Sequence, residues 1–249
     1  MILIKEGIIM RINIDISLGE AILPRDNRPY FLSLIKKVLS ENCSELYKKL
    51  YDSGATPMKN MCFATKFSQP KFEGDSIFLI DKEILMSIST SDSIFGIDLY
   101  NSFLTIKNKK FPILDKNYFL VKSVRIENTQ QIKSDKIIIT MISPLVVRSH
   151  EKGRPDKYYI YDEAGFADAF FEVTKNQLEK LAGVHINYGD ITIAPVKARK
   201  TVERAFNVNV RCSLGQFVLA GKPEILEFLY QTGIGSKRSQ GNGMFNIIG

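Results

Sequence analysis

"KPEILEFLYQTGIGSKRSQGNGMFNII", Lys222 to Ile248, is the stretch on which the reading of the chain turns. Pro223 stands at a helix start, apolar letters follow at helical spacing, and Gly233 marks the helix end. Gly233, Gly235, Gly241 and Gly243 then bracket the adjacent cations Lys237 and Arg238, and "MFNII" reads as a closing strand. Glycine lets a backbone approach an anion closely and exposes its N–H groups, so phosphate is the first ligand to consider. The two familiar nucleotide loops do not fit. No Gly-Lys-Ser/Thr follows Gly241, and the residue three after Gly235 is Arg238 rather than glycine. Too little chain remains for the long βα unit that either loop opens. The alternative is a plain connection, because glycine is common at helix C-caps and in tight turns.

Ahead of that stretch, "DITIAPVKARKTVE" (190–203) and "FNVNVRCSLGQFVLAG" (206–221) read as two long strands. Before them, "YDEAGFADAFFEVTKNQLEKLAG" (161–183) is an amphipathic helix stopped by Gly183, and "IIITMISPLVV" (137–147) is a strand. The order β, α, β, β, α, β is the ferredoxin-like plan. The polar stretch "ENTQQIKSDK" (127–136) separates this half from an earlier one. There "RINIDIS" (11–17) alternates as a half-buried strand, and residues 24–54 read as two consecutive helices. "MCFATKF" (61–67), "SIFLI" (76–80), "ILMSIST" (84–90), "FLTIKNKKFPI" (103–113) and "YFLVKSVRIEN" (118–128) read as strands, with a short helix over 92–103. The fold class is α+β, with a similar but embellished unit in the first half and units bounded at residues 1–127 and 136–249.

The chain has 249 residues, 45% apolar and 24% charged, which is ordinary globular composition and excludes extended disorder. Its 34 basic against 27 acidic residues give a net charge of +7, a bias toward a polyanionic partner. Cys43, Cys62 and Cys212 are far apart, form no C-x-x-C pair and leave an odd count, so neither a zinc site nor a disulfide framework is expected. A reducing cytoplasm fits. Lys5 and Glu6 interrupt the apolar opening, and no run of about 18 apolar residues occurs, so secretion and membrane spanning are not expected. Because "RINIDIS" is already a complete strand, Met10 is a candidate start, with residues 1–9 an extension.

The "GIG…GNG" segment between a short helix and the last strand resembles the C-terminal glycine-rich signature of the CRISPR repeat-processing endoribonucleases, the Cas six family of the RAMP superfamily. "SELYKKLYDSG" (44–54) followed by "MKNMCFATKF" (58–67) is similar to that family's N-terminal pattern, and "ISPLVV" (142–147) matches the start of its second half. The resemblance implies two tandem ferredoxin-like domains facing each other across a basic cleft. It also implies CRISPR repeat RNA as the partner and the glycine-rich loop as its holder, through Gly233, Gly235, Lys237, Arg238, Gly241 and Gly243. On "TIAPVKARKTVER" (192–204), alternation puts Lys197 and Arg199 on one face, available to phosphate or merely solvated. Arg148, Lys152, Arg154 and Lys157 form a secondary cationic loop. A homodimer and other effector subunits stay open as partners.

The resemblance implies cleavage without metal or other cofactor. The ribose 2′-OH attacks the adjacent phosphate and leaves a 2′,3′-cyclic phosphate and a 5′-OH. A base, an acid and cations around the phosphorane are needed. Relatives use a histidine before the first glycine turn, a tyrosine one helix earlier and a lysine at the next strand. The corresponding positions here are Tyr51, Lys36 and Lys59, and the histidine is missing. His150 and His185 lie in the second half, where His185 reads as a packing or turn residue. Tyrosine has a reference pKa near 10, so Tyr51 is a poor base unless Lys36 and Lys59 favour its anion. The expectation is slow cleavage, with two rivals: an RNA-binding member that does not cut, and a structural RAMP subunit.

Overall fold

The computed structural model describes residues 10–52, 57–114, 116–127, 129, 131–150 and 153–249. The reading of residues 1–9 as an extension lies outside them. In chain order the first half holds β1 (Met10–Leu18), β2 (Ile22–Pro24), α1 (Arg28–Asn42), α2 (Ser44–Tyr47), a π-helical turn (Lys48–Asp52), β3 (Cys62–Phe67), β4 (Pro70–Glu73), β5 (Ser76–Leu79), β6 (Glu83–Thr90), α3 (Ser93–Thr105), β7 (Lys110–Leu114) and β8 (Asn117–Glu127). The second half holds β9 (Lys136–Met141), β10 (Val147–Ser149), β11 (Lys157–Tyr159), α4 (Phe166–Ala182), β12 (Ile191–Ala205), β13 (Val208–Gly221), α5 (Pro223–Thr232), a 3₁₀ turn (Arg238–Gln240) and β14 (Phe245–Ile247).

The two main sheets have the same order. One runs β3-β6-β1-β8-β7 and the other β12-β13-β9-β14. Counting the four shared strands of each half, both read second, third, first, fourth, the ferredoxin-like arrangement. Alternation in β1 sets the first sheet. Ile12 lies opposite Ile88 and Ile126, and Ile14 opposite Met86 and Val124, so one face is apolar. Phe31, Leu34, Ile35, Val38 and Leu39 of α1 close over it at helical spacing. α3 does the same after Asp92 caps it by accepting from Phe95 N at 3.0 Å. A Cβ on Gly96 would lie 2.4 Å from Met10 Sδ, so glycine is what lets α3 reach the strand. A second core forms where α4 and α5 pack on β9, β13 and β14, with Phe170, Phe217, Leu229 and Phe245 buried.

Two strand readings differ from expectation: the strand read over 137–147 ends at Met141, before Pro144, and a second one contains a helix end. "FLTIKNKKFPI" is not a single strand, for α3 continues to Thr105 and β7 begins only at Lys110. Phe95, Leu99 and Phe103 recur every four residues and bury as one helical stripe, which overrides the β-like lettering.

The longest local feature is the β12–β13 hairpin. Its register shifts between Pro195 and Lys197, and facing that shift Gly215 has φ +118. A Cβ there would stand 2.2 Å from Lys197 O, so the hairpin bends at a point only glycine tolerates. Its tip then touches the first half. The Asp26 carboxylate accepts from Phe206 N and Asn207 N at 3.1 and 2.8 Å, and Arg204 pairs with Asp75 at 3.0 Å. No helix among the described residues is long and apolar enough to cross a membrane.

Candidate nucleic-acid interface

The glycine-rich segment is buried. Gly233, Ile234, Gly235 and residues 241–245 are all inaccessible, which differs from the open phosphate cradle that the sequence suggests. Steric contacts explain the glycines. A Cβ on Gly233 would lie 2.8 Å from Cys62 Cβ, one on Gly235 2.5 Å from Val146 O, one on Gly241 3.0 Å from the Phe63 ring, and one on Gly243 2.0 Å from Ile234 O. All four have φ between +76 and +88. Cys62 and Phe63 belong to β3, so at Gly233 and Gly241 the bare backbone serves the contact between the two halves, while Gly235 and Gly243 fit against backbone of the second half itself. Several of its amides are engaged within the fold: Ile234 N donates to Gly243 O, Ser236 N to Val146 O and Gly243 N to Pro144 O. Arg238 is not available to a ligand. It is 6% exposed and donates to Thr232 O at 2.8 Å. Burial pushes its pKa down to about 10, so it is still a cation at neutral pH. Lys237 alone of the segment's cations reaches the surface, with Nζ 5.7 Å from the Tyr158 ring centre.

Tyr51, Lys36 and Lys59 do come together. Lys59 Nζ lies 4.0 Å and Lys36 Nζ 5.0 Å from the centre of the Tyr51 ring. α1 supplies Lys36, the π-helical turn supplies Tyr51, and the segment entering β3 supplies Lys59. Neither ammonium has an ion-pair partner among the described residues. The lysines do not lower the tyrosine's pKa as the sequence suggests. Burial, and then the neighbouring Tyr47, push the Tyr51 phenol up to about 12. The cations occupy the ring region, where the π-quadrupole attracts them, and no group among the described residues hydrogen-bonds the buried phenol oxygen. Roughly one molecule in 100,000 would carry phenolate at pH 7, so Tyr51 is no general base. Lys59 is shifted down, first by burial and then by Lys36. The trio therefore offers two positive charges on an aromatic platform.

Lys197 and Arg199 are both exposed on β12, but so are Val196 and Val202, so the bent strand does not divide into a cationic and a buried face. No hydrogen bond, ion pair or ring contact joins either residue to the Tyr51 trio among the described residues. Of the secondary loop, Arg148 pairs with Asp156, Lys157 lies over the Tyr159 ring at 4.7 Å, and Lys152 lies outside the described residues. His150 Nδ1 also meets Asp156, at 2.7 Å. His185 is exposed and pairs with Glu179 at 3.1 Å, a helix-end contact rather than packing.

Two arginines that sequence reading passes over organise the junction. Arg11, 1% exposed, reaches from β1 to Asn246 Oδ1 at 2.6 Å and Phe245 O at 3.0 Å, and lies 4.4 Å over the Tyr230 ring. Arg28 donates to Gln240 O at 3.2 Å and pairs with Glu203 at 2.5 Å. Burial raises the Glu203 carboxyl to about 6 despite Arg28, and its buried Oε2 has no hydrogen-bond partner among the described residues. Nothing in the lettering distinguishes Arg11 or Arg28 from a solvated cation, since what marks them lies some 175 to 235 residues away.

Two ferredoxin-like units, in contact through a glycine-rich segment, define the architecture. Residues 127–247 match the family model described as CRISPR associated protein Cas6, C-terminal. Over 180 residues the chain is 28% identical to a putative CRISPR-associated endoribonuclease-like protein Cas6nc of Pyrococcus horikoshii, covering 71% of this chain and 72% of the relative. A putative CRISPR-associated endoribonuclease-like protein Cas6 of Pyrococcus furiosus is 32% identical over 147 residues, 57% of this chain and 59% of that one. A solved structure of a Cas6-related gene product from Pyrococcus furiosus superposes with a TM-score of 0.83 at 23% identity, covering 96% of this chain and 98% of that one. Another, described as a RAMP protein binding different RNA substrates, gives 0.81 at 23% identity over 96% and 100%. The second half of the chain is thus similar to the C-terminal part of Cas6, and the fold of the whole chain is similar to that of the two solved structures.

Proposed function

We propose that the chain binds CRISPR repeat RNA and cleaves it slowly without metal, by attack of a ribose 2′-OH on the adjacent phosphate. The reading takes residues 1–127 and 136–249 as two units flanking a basic cleft in a cytoplasmic protein. One observation carries it: Lys59 and Lys36 hold two ammonium groups, without carboxylate partners among the described residues, against the Tyr51 ring at 4.0 and 5.0 Å. Unpaired cations on an aromatic surface suit a phosphate with an adjacent base. Lys59 and Lys36 would neutralise the phosphorane, Lys237, Lys197 and Arg199 would hold flanking phosphates, and Tyr51 would serve as platform. General-base catalysis contributes typically 10²–10⁴-fold, and its absence at Tyr51 makes the cut slow.

That same tyrosine favours a second reading, repeat-RNA binding without cleavage. The two separate on one experiment: repeat RNA in EDTA with wild type, Lys59→Ala and Tyr51→Phe. Slow formation of a 2′,3′-cyclic phosphate that Lys59→Ala abolishes and Tyr51→Phe spares supports cleavage. Tight binding with no product leaves the second reading, and no binding at all defeats both.

A further inference from the structure

More than half of the chain's positive surplus sits in one place outside the region discussed above. Residues 107–122, "KNKKFPILDKNYFLVK", carry five lysines and one aspartate, a net +4 of the chain's +7. The fold gathers four of those lysines at one end of the β7–β8 pair. Lys107 bridges to Val121 and Asn108 N donates to Val121 O, Lys110 lies opposite Leu120, and Lys122 follows Val121 directly. Lys107, Lys109, Lys110 and Lys122 are all exposed, and none forms an ion pair among the described residues. By contrast Arg125, three residues on, is tied to Asp15 at 2.7 Å. Lys110 projects on the sheet face away from α1 and α3, where its Nζ lies 4.4 Å from the centre of the Tyr118 ring.

We propose that these four lysines, with Tyr118, form a second anion-binding surface that takes the sugar-phosphate chain of single-stranded RNA beyond the segment held near Lys59. The inference rests on the RNA-binding reading above and extends its footprint. Lysines on an edge strand also discourage edge-to-edge pairing, but that does not account for the cluster. Lys122 lies on β8, one strand in from the edge, and Lys107 and Lys109 precede β7. Four unpaired like charges in one neighbourhood repel one another, and a polyanion relieves that repulsion while releasing its counterions. Position makes the surface a separate one. Lys59 leads into β3 at one edge of the sheet and β7 is the other edge, four strand spacings away, or roughly 19 Å. An RNA engaged at Lys59 reaches the lysines only by continuing for several nucleotides across the sheet.

The test compares a repeat RNA alone with the same repeat carrying a single-stranded flank, using wild type and the quadruple variant Lys107→Gln, Lys109→Gln, Lys110→Gln, Lys122→Gln. For the flanked RNA the salt slope of affinity should fall by about 3 in the variant, at roughly 0.7 per contact, so wild type loses roughly 50-fold more affinity than the variant between about 50 and 200 mM salt. The quadruple Lys→Arg variant should keep the wild-type slope, which separates charge from folding. For the bare repeat, variant and wild type should agree. If the quadruple Gln variant matches wild type on the flanked RNA, the surface is not an RNA site. If wild type itself binds neither RNA, the underlying reading fails and takes this extension with it.

Discussion

Gly243→Ala tests whether the glycine-rich segment is built for packing or for ligand access. Its φ of +76 costs a side chain about 1–2 kcal/mol. The new Cβ would stand 2.0 Å from Ile234 O, where real contacts begin near 3.0 Å, so the two backbones must part by about 1 Å. That separation stretches the 2.9 Å bond from Ile234 N to Gly243 O among fully buried neighbours, and an orphaned buried group costs about 1–3 kcal/mol. The sum is about 2–5 kcal/mol out of the roughly 5–15 that hold a domain together. Two other glycines calibrate it. Gly183→Ala meets open space at φ +65 and should cost about 1 kcal/mol, while Gly241→Ala meets the Phe63 ring at 3.0 Å and should fall between. Urea unfolding gives the ranking, and repeat-RNA affinity is measured where all three variants are folded. Gly243→Ala as mild as Gly183→Ala in urea, with RNA binding lost, would refute the packing argument.

Tyr51→Phe removes a buried hydroxyl that no group among the described residues satisfies, so stability should hold or rise by up to about 1 kcal/mol in thermal unfolding, and a loss above that would reveal a further partner. Glu203→Gln should change the pH dependence of stability. The wild-type carboxyl is raised to about 6 in the fold from an ordinary 4.5, so its contribution is present below 4.5 and lost as pH rises through 6. Relative to Glu203→Gln, wild type should thus lose about 2 kcal/mol between those values, read from melts at both ends. Lys59 titrates below the ordinary lysine range, so RNA affinity should decline with alkaline pH earlier than for a solvated lysine, and Lys59→Arg should abolish that early decline.

The sequence carries the fold well, because the fold rests on local periodicity. β1, α4, α5 and the two long strands of the hairpin follow their apolar patterns closely, and Gly183 caps α4 at φ +65 as a helix stop should. Short pieces such as β2, β4, β10 and β11 pass unread, since three or four residues hold too little pattern. The candidate site was legible in part. The family resemblance points to Tyr51, Lys36 and Lys59, and in the fold the two ammoniums lie over the Tyr51 ring. Their electrostatics were not legible, because the rise at Tyr51 comes from burial, which depends on the whole surround. The glycine segment misleads for a related reason. Glycine beside cations describes a phosphate loop and a tight domain contact equally well, and only the position of β3 decides between them.

That contact bears on how the protein attracts a polyanion at all. Arg11 and Arg28 donate from the first half to oxygens of the second, so these two guanidiniums bind the halves to each other, while the buried Arg238 braces the second half's own helix end through Thr232 O. Guanidinium suits that task, since its fixed fork satisfies several acceptors at once and stays charged when desolvated. On the proposed function, the attraction for RNA would be left chiefly to lysines, the half-buried Lys59, the exposed Lys36 and those along Lys107 to Lys122, point charges on flexible stems that can follow a phosphate chain. The buried arginines and glycines would then act on RNA indirectly, by fixing the distance between cations on the two halves. A substitution at the junction should therefore lower stability and RNA affinity together, whereas one at an exposed lysine should lower affinity and salt slope while stability stays unchanged.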